Sequence, residues 1–313
     1  MRIHSSLRVA AATCIVVAAV SPPVHAQRIT AKLEHQKRSV ALEVGSTRFG
    51  KHTLDELKPG GEWRLGSNDA STLTVGAPLV AGTTVVPPGS YRVKLYRGHQ
   101  DDFSLMIEGA GYELSSSTSL YLPGTYADEK KTADKLDVKF VKAKEKAAHG
   151  RASRLRVHFG PHSVEVPVTL AGTSSVKLKG FTVDAFAVPC DVVEARSARG
   201  EATPIASFAK KGRPAKDAPA AFSLLVSDDE AILLPAQVAP TDSYGFGHVV
   251  PPPEDWTFRA PLEWQDAQSE TDTVELQTVE LTKEKRLRVV VNCGGRTGEA
   301  LLTPPTKPRR GAG

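Results

Sequence analysis

The stretch EWRLGSNDASTLTV, residues 62–75, sets a tryptophan and an arginine beside an Asn-Asp pair and then runs into strand alternation. Trp63 offers a stacking face, Arg64 a planar fork for carboxylate or phosphate, and Asn68 and Asp69 hydrogen bonds for hydroxyls. Such a set suits a sugar or a peptide end. The same residues also suffice to build a corner. Gly66 permits a positive φ, and Asn68 or Asp69 can fold its side chain onto nearby amides. Arg64 can make a charge-assisted bond to Asp69. Trp63 can cover the edge of a sheet while its N–H finds a carbonyl. In both readings Thr72 and Thr74 face one way and Leu73 and Val75 the other.

Other chemistries have weaker signals. His158 and His162 flank Gly160-Pro161, which reads as a hairpin turn, and alternation places His158 on the solvent side. Zinc requires three or four converging ligands, and the sequence supplies no third, so neither a metal nor a cofactor is expected. His52, His99 and His248 read as loop or surface residues. Asp101 and Asp102 sit at a hairpin tip without the Asp/Asn-Gly loop of a calcium site. There is no Gly-x-Ser-x-Gly nucleophile motif. Asp228, Asp229 and Glu230 in SDDEAILL read as a turn, because neighbours on a strand face opposite ways. A pair of carboxylates for glycoside hydrolysis meets only in three dimensions, and that alternative stays open.

The elements that position these residues are strands. In YRVKLY, Tyr91, Val93 and Leu95 face one way and Arg92, Lys94 and Tyr96 the other. FSLMIE (Phe103, Leu105, Ile107), LDVKF (Leu136, Val138, Phe140), LRVHF (Leu155, Val157, Phe159) and VEVPVTL (Val164, Val166, Val168, Leu170) repeat the pattern. Half-buried antiparallel strands look like this. RGHQDD (97–102) and GPHS (160–163) read as hairpin connections, and the spacing suggests two packed sheets. AAFSLLV (220–226), VELQTVEL (274–281) and LRVVVNC (287–293) are further strands. The best helical candidate is KHTLDELK, residues 51–58, stopped by Pro59 and Gly60.

The first residues read as an address. Arg2 and Arg8 precede the apolar run VAAATCIVVAAV (9–20), which is shorter than the about 20 residues needed to span a bilayer. SPPVHA follows, with small Val24 and Ala26 before a cleavage site, so residues 1–26 read as a signal peptide and Gln27 as the mature start. No transmembrane segment is expected in the mature chain. The chain of 313 residues carries 40 Lys and Arg against 35 Asp and Glu, too balanced for nucleic-acid binding. The basic cluster AKKGRPAK (209–216) reads as a solvated loop. Export to an oxidising compartment favours a disulfide between Cys190 and Cys293, with two buried thiols as the alternative.

GGEWRLGSNDASTLTV, residues 60–75, with VVPPGSYRVKLYR and DDFSLMIE, resembles the bacterial family called domain of unknown function 2911. Trp63 and Arg64 match its Trp-Arg pair. Gly66, Ser67, Asn68 and Asp69 take its Gly-Ala-Asn-Glu-like turn, with Ser for Ala and Asp for Glu. Pro88, Gly89, Ser90 and Tyr91 take its second turn, and Phe103 stands where the family has a second Trp. The resemblance covers roughly residues 30–170. It implies export and a β-rich fold and names no substrate.

Taken together, the sequence predicts a mainly β protein: an antiparallel β-sandwich over 28–171, a division near AGTSS at 172, a second β-rich domain over 175–303, and a disordered tail over 304–313. The expected role is a non-catalytic envelope or extracellular binding or structural module, periplasmic or extracellular, with envelope glycan or protein as partner. The alternative is a hydrolase of envelope polysaccharide or peptide.

Overall fold

Side chains that alternate along the sequence alternate in space. The computed structural model describes residues 28–50, 54–67, 71–99, 102–108, 119–143, 147–211, 221–235, 257–267, 270–284 and 286–303. The protein is mainly antiparallel β. Its first part comprises β1 (Arg28–His35), β2 (Arg38–Gly45), a 3-10 turn (Leu54–Glu56), β3 (Glu62–Trp63), β4 (Ser71–Val75), β5 (Leu79–Ala81), β6 (Thr84–Val86), β7 (Gly89–Arg97) and β8 (Phe103–Glu108). Two long strands follow, β9 (Leu120–Lys142) and β10 (Gly150–Leu178). The remainder comprises β11 (Phe181–Ala187), α1 (Cys190–Ser197), β12 (Thr203–Lys210), β13 (Ala221–Val226), β14 (Glu230–Pro235), β15 (Phe258–Pro261), β16 (Glu263–Asp266), β17 (Glu275–Leu281), β18 (Leu287–Cys293) and β19 (Arg296–Leu302).

One hydrogen-bonded path runs β1-β2-β4-β7-β8-β9-β10 and on through β11 to β15, with β3 on β7, and β5 on β10 and β6. The path bends at its long strands. β9 pairs with β8 through residues 120–124 and with β10 from 125 to 142. β10 pairs in turn with β9 through 153–165, with β5 at 169–170 and with β11 through 172–178. β1 packs back onto β9 and β10, so the two faces enclose Leu42, Leu73, Tyr91, Leu105, Leu122 and Leu155. The sheet β16-β19-β18-β17 packs through β17 on β10 and β11, and through β19 on β14 and β15. Val289 and Val291, both fully buried, line that second interface. One continuous hydrophobic cluster joins the two halves.

Three sequence expectations are corrected. GPHS is not a hairpin: LRVHF and VEVPVTL belong to one strand, and Gly160, at φ +62°, forms a bulge within it. The signals coincide because a bulge and a turn both need a positive φ and tolerate a missing N–H donor. The extra length sits opposite, where Asp128 pairs with His162 and Asp137 with His158, so β9 spends nine residues over four of β10. AGTSS is also strand, with Gly172 paired to Ala187 and Ser175 to Asp184, so the chain crosses residue 172 without a break. Pairing partners on β11 outweigh the weak strand preference of these small residues. The third correction is the helix. Within 51–58 only the 3-10 turn at Leu54–Glu56 is described, whereas the α-helix is CDVVEARS. Its β-branched Val192 and Val193 disguise it, but Pro189 before it and Gly200 after it, at φ +72°, are start and stop signals.

Ties between the halves are polar as well as apolar. Arg38 in the β1–β2 hairpin ion-pairs with Asp184 of β11, and Gln36 Oε1 accepts a 2.6 Å bond from the Thr173 amide. Cys190, opening α1, and Cys293, closing β18, stand at disulfide distance with Cα atoms 5.5 Å apart. A crosslink spanning 103 residues removes much freedom from the unfolded chain. Cys293→Ser is expected to lower stability by about 2–5 kcal/mol in urea unfolding. Thiol titration of the denatured, unreduced mature protein is expected to find neither cysteine free.

Candidate functional site

The corner at residues 62–75 is built by packing. Trp63 is half-buried and lies on Phe159 of β10, ring centroids 5.1 Å apart, while Phe49 meets Phe159 edge-on at 5.6 Å. Leu65 is fully buried at a positive φ of 55°, and Gly66 follows at 108°. Gly45 and Gly66 cross so closely that a Cβ on either would strike backbone of the opposing segment. Serines hold the crossing: Ser71 Oγ donates to the carbonyls of Arg64 and Leu65, each at 2.7 Å, and Ser67 Oγ to that of Ser46 at 2.6 Å. Those hydroxyls do the holding that sequence reasoning sought from Asn68 and Asp69, which lie outside the described residues. Arg64 is exposed. Trp63 and Arg64 are thus brought together, with the tryptophan face used against Phe159.

Next to Trp63 lies the bulge. His158 is buried at 8 % exposure, which corrects its expected place on the solvent side. The strand still alternates, but a polar network occupies this face. Glu129 receives a bond from Ser163 Oγ at 2.5 Å and pairs with Arg156 at 2.5 Å; Arg156 also approaches Glu165, which binds Arg154 at 2.6 Å. His158 Nε2 and Arg156 Nε find no hydrogen-bond partner among the described residues, though Arg156 Nε lies 3.8 Å from Glu165. His162 is turned elsewhere: its Nδ1 lies 2.7 Å from the Tyr126 hydroxyl and 2.9 Å from Asp128, and its Nε2 lies 3.2 Å from Asp55. The two carboxylates flank the imidazole from opposite nitrogens, so they do not converge on one point as metal ligands must. Among the described residues no group of three or more His, Cys, Asp or Glu is placed to hold a metal ion.

A cavity of about 1040 Å³ lies among the described residues where the two halves meet. Val80 and Gly82 at β5, the β9–β10 turn, the middle of β10, the start of α1 and residues 270–272 form its walls. Apolar Val168, Ala171 and Val192 alternate with Ser153, Thr169, His149 and Arg154, and four carboxylates, Asp191, Glu194, Glu270 and Asp272, line it. Its far wall is zipped together: the Cys190 amide donates to Asp272 O at 2.9 Å and the Gly294 amide to Thr271 O at 3.2 Å. Sequence reasoning missed this site because its residues come from six separate segments. The helix signals around CDVVEARS were the one local cue. Asp228, Asp229 and Glu230 do form the expected turn, between β13 and β14, where Ser227 Oγ bonds Asp229 at 2.7 Å.

Comparisons with protein-family models, curated proteins and solved structures find no match.

The network over the bulge makes a pH prediction. The Ser163 hydrogen bond, and after it Arg156, hold the Glu129 carboxyl below its ordinary value of 4.5. A depressed folded value means the stabilisation is fully present above the unfolded pKa and is lost as pH falls through the folded one. Ser163→Ala is expected to raise the Glu129 pKa toward 4.5 in a carboxyl NMR titration and to shift acid unfolding to higher pH.

Proposed function

We propose that the chain is an exported, non-catalytic binding module of the envelope or extracellular space, taking a glycan or peptide ligand into the cavity between its halves. The cavity carries this reading. Its volume of about 1040 Å³ sits at the top of the roughly 300–1,000 Å³ usual for ligand pockets. Its lining mixes an apolar floor with spaced donors and acceptors, the combination that orients a polar ligand. The leader pattern and the paired cysteines support export. No described helix is long and apolar enough to cross a membrane. The resemblance to domain of unknown function 2911 supports the same placement.

The hydrolase reading draws on one observation, the four carboxylates that α1 and residues 270–272 bring to the cavity wall.

Two measurements check this proposal. Saturation-transfer NMR with a soluble peptidoglycan digest is expected to show binding that Ala152→Trp, which fills the cavity, weakens by about tenfold or more at an unchanged melting temperature. Equal binding by both proteins would overturn the cavity reading. Release of new reducing ends or amines from the polymer, abolished by Glu270→Gln or Asp191→Asn, would favour the hydrolase. For export, intact-mass analysis of protein recovered outside the cytoplasm is expected to give a chain beginning at Gln27.

A further inference from the structure

The outer face of the first sandwich carries a feature that the cavity does not use. By the pleat, Lys94 and Tyr96 of β7, Ser104 and Met106 of β8, and Tyr121 of β9 point away from the core filled by Leu95, Leu105 and Leu122. Register sets them in two rows, Lys94 opposite Met106 opposite Tyr121, and Tyr96 opposite Ser104 opposite Pro123. A solvent face of an antiparallel sheet is expected to be polar. Here Met106, at 3 % exposure, is covered although it lies outside the core cluster, and the ring left open to solvent is Tyr121, at 44 %. Tyr121 is the only exposed Phe, Tyr or Trp among the described residues. Its ring stands 5.1 Å from that of Tyr96 at an interplanar angle of 63°, forming an aromatic notch.

Fixed polar groups rim the notch. Lys94 Nζ lies 2.9 Å from Glu62 and 2.5 Å from Glu108, which holds all three side chains in one arrangement. Arg92 stands opposite Glu108 in the ladder, so two carboxylates meet two cations and the rim is balanced. A charged polymer would compete with these pairs and gain no net attraction. An uncharged polyol can bond to carboxylate and ammonium together while its C–H face covers the rings. Tyrosines serve such contacts well, since a rigid amphipathic side chain loses little entropy on binding.

We propose that this face binds an uncharged glycan, a sugar ring stacking on Tyr121 and Tyr96 and its hydroxyls bonding to Glu62, Lys94 and Glu108. This site is separate from the cavity and does not depend on it. The test is calorimetric titration of the full chain with cellohexaose, maltohexaose and N-acetylchitohexaose, against hyaluronan and chitosan hexamers as charged controls. One neutral hexamer is expected to bind. Tyr121→Ala is expected to weaken it by about tenfold, and Tyr121→Phe, which keeps the ring, to retain it. Lys94→Met, which removes the shared ammonium and keeps the stem, is expected to weaken it as well, and Ala152→Trp in the cavity to leave it unchanged. Absence of binding to all three neutral hexamers would overturn the proposal. So would tighter binding of a charged control, binding insensitive to both Tyr121→Ala and Lys94→Met, binding abolished by Ala152→Trp, or a dimer in sedimentation that Tyr121→Ala converts to monomer.

Discussion

The rest of the structure depends on the backbone of β10 finding partners along its whole length. A strand of 29 residues presents a row of donors and acceptors that cannot be buried unpaired. β9, β5 and β11 meet that demand in succession; β9 and β5 border the strand within one sheet, and the handover to β11 carries it into the next. Side-chain alternation does the remaining work: Leu155, Val157, Val164, Val166, Val168 and Leu170 all reach the interior. The bulge at Gly160 resets which face is inward, which is why Val157 and Val164, of opposite parity, are both buried.

The bulge also explains where polar chemistry collects. Between Asp128 and Asp137, β9 meets β10 only where Ala133 pairs with Gly160, and its excursion bonds elsewhere, the Phe49 amide donating to Asp134 O and the Leu136 amide to Thr47 O. The gap in pairing is filled by side chains. Phe49, Phe159 and Trp63 occupy one side, and Arg156, Glu129 and Ser163 the other. Trp63 therefore owes its position to a strand nearly 100 residues away in sequence.

Much of this was legible in residue patterns. FSLMIE and LRVVVNC are strands at the limits their alternation marks, and the turn at Ser227–Glu230 follows from adjacent carboxylates that a half-buried strand would not accept. Cys190 and Cys293 meet as expected. Tyr91, facing inward, is only 2 % exposed, and its hydroxyl returns a bond to Pro87 O at 3.0 Å. What stayed hidden were long-range choices. GPHS carries the same local signal for a bulge as for a hairpin, and AGTSS has too little side chain to announce a strand. The cavity is assembled from segments that no window of sequence contains together. His158 shows the same limit, because alternation fixes the face of a side chain but not what covers that face.

The continuity of β10 through residue 172 has a consequence for how this architecture can be inherited. Each half uses the same ribbon to complete its own sheet, and the Arg38–Asp184 and Gln36–Thr173 contacts lie across the same junction. Severing the gene there would leave both products with a ragged, sticky border and a shortened ladder. A break at that point would therefore open both sheets at once, because one ribbon closes each of them.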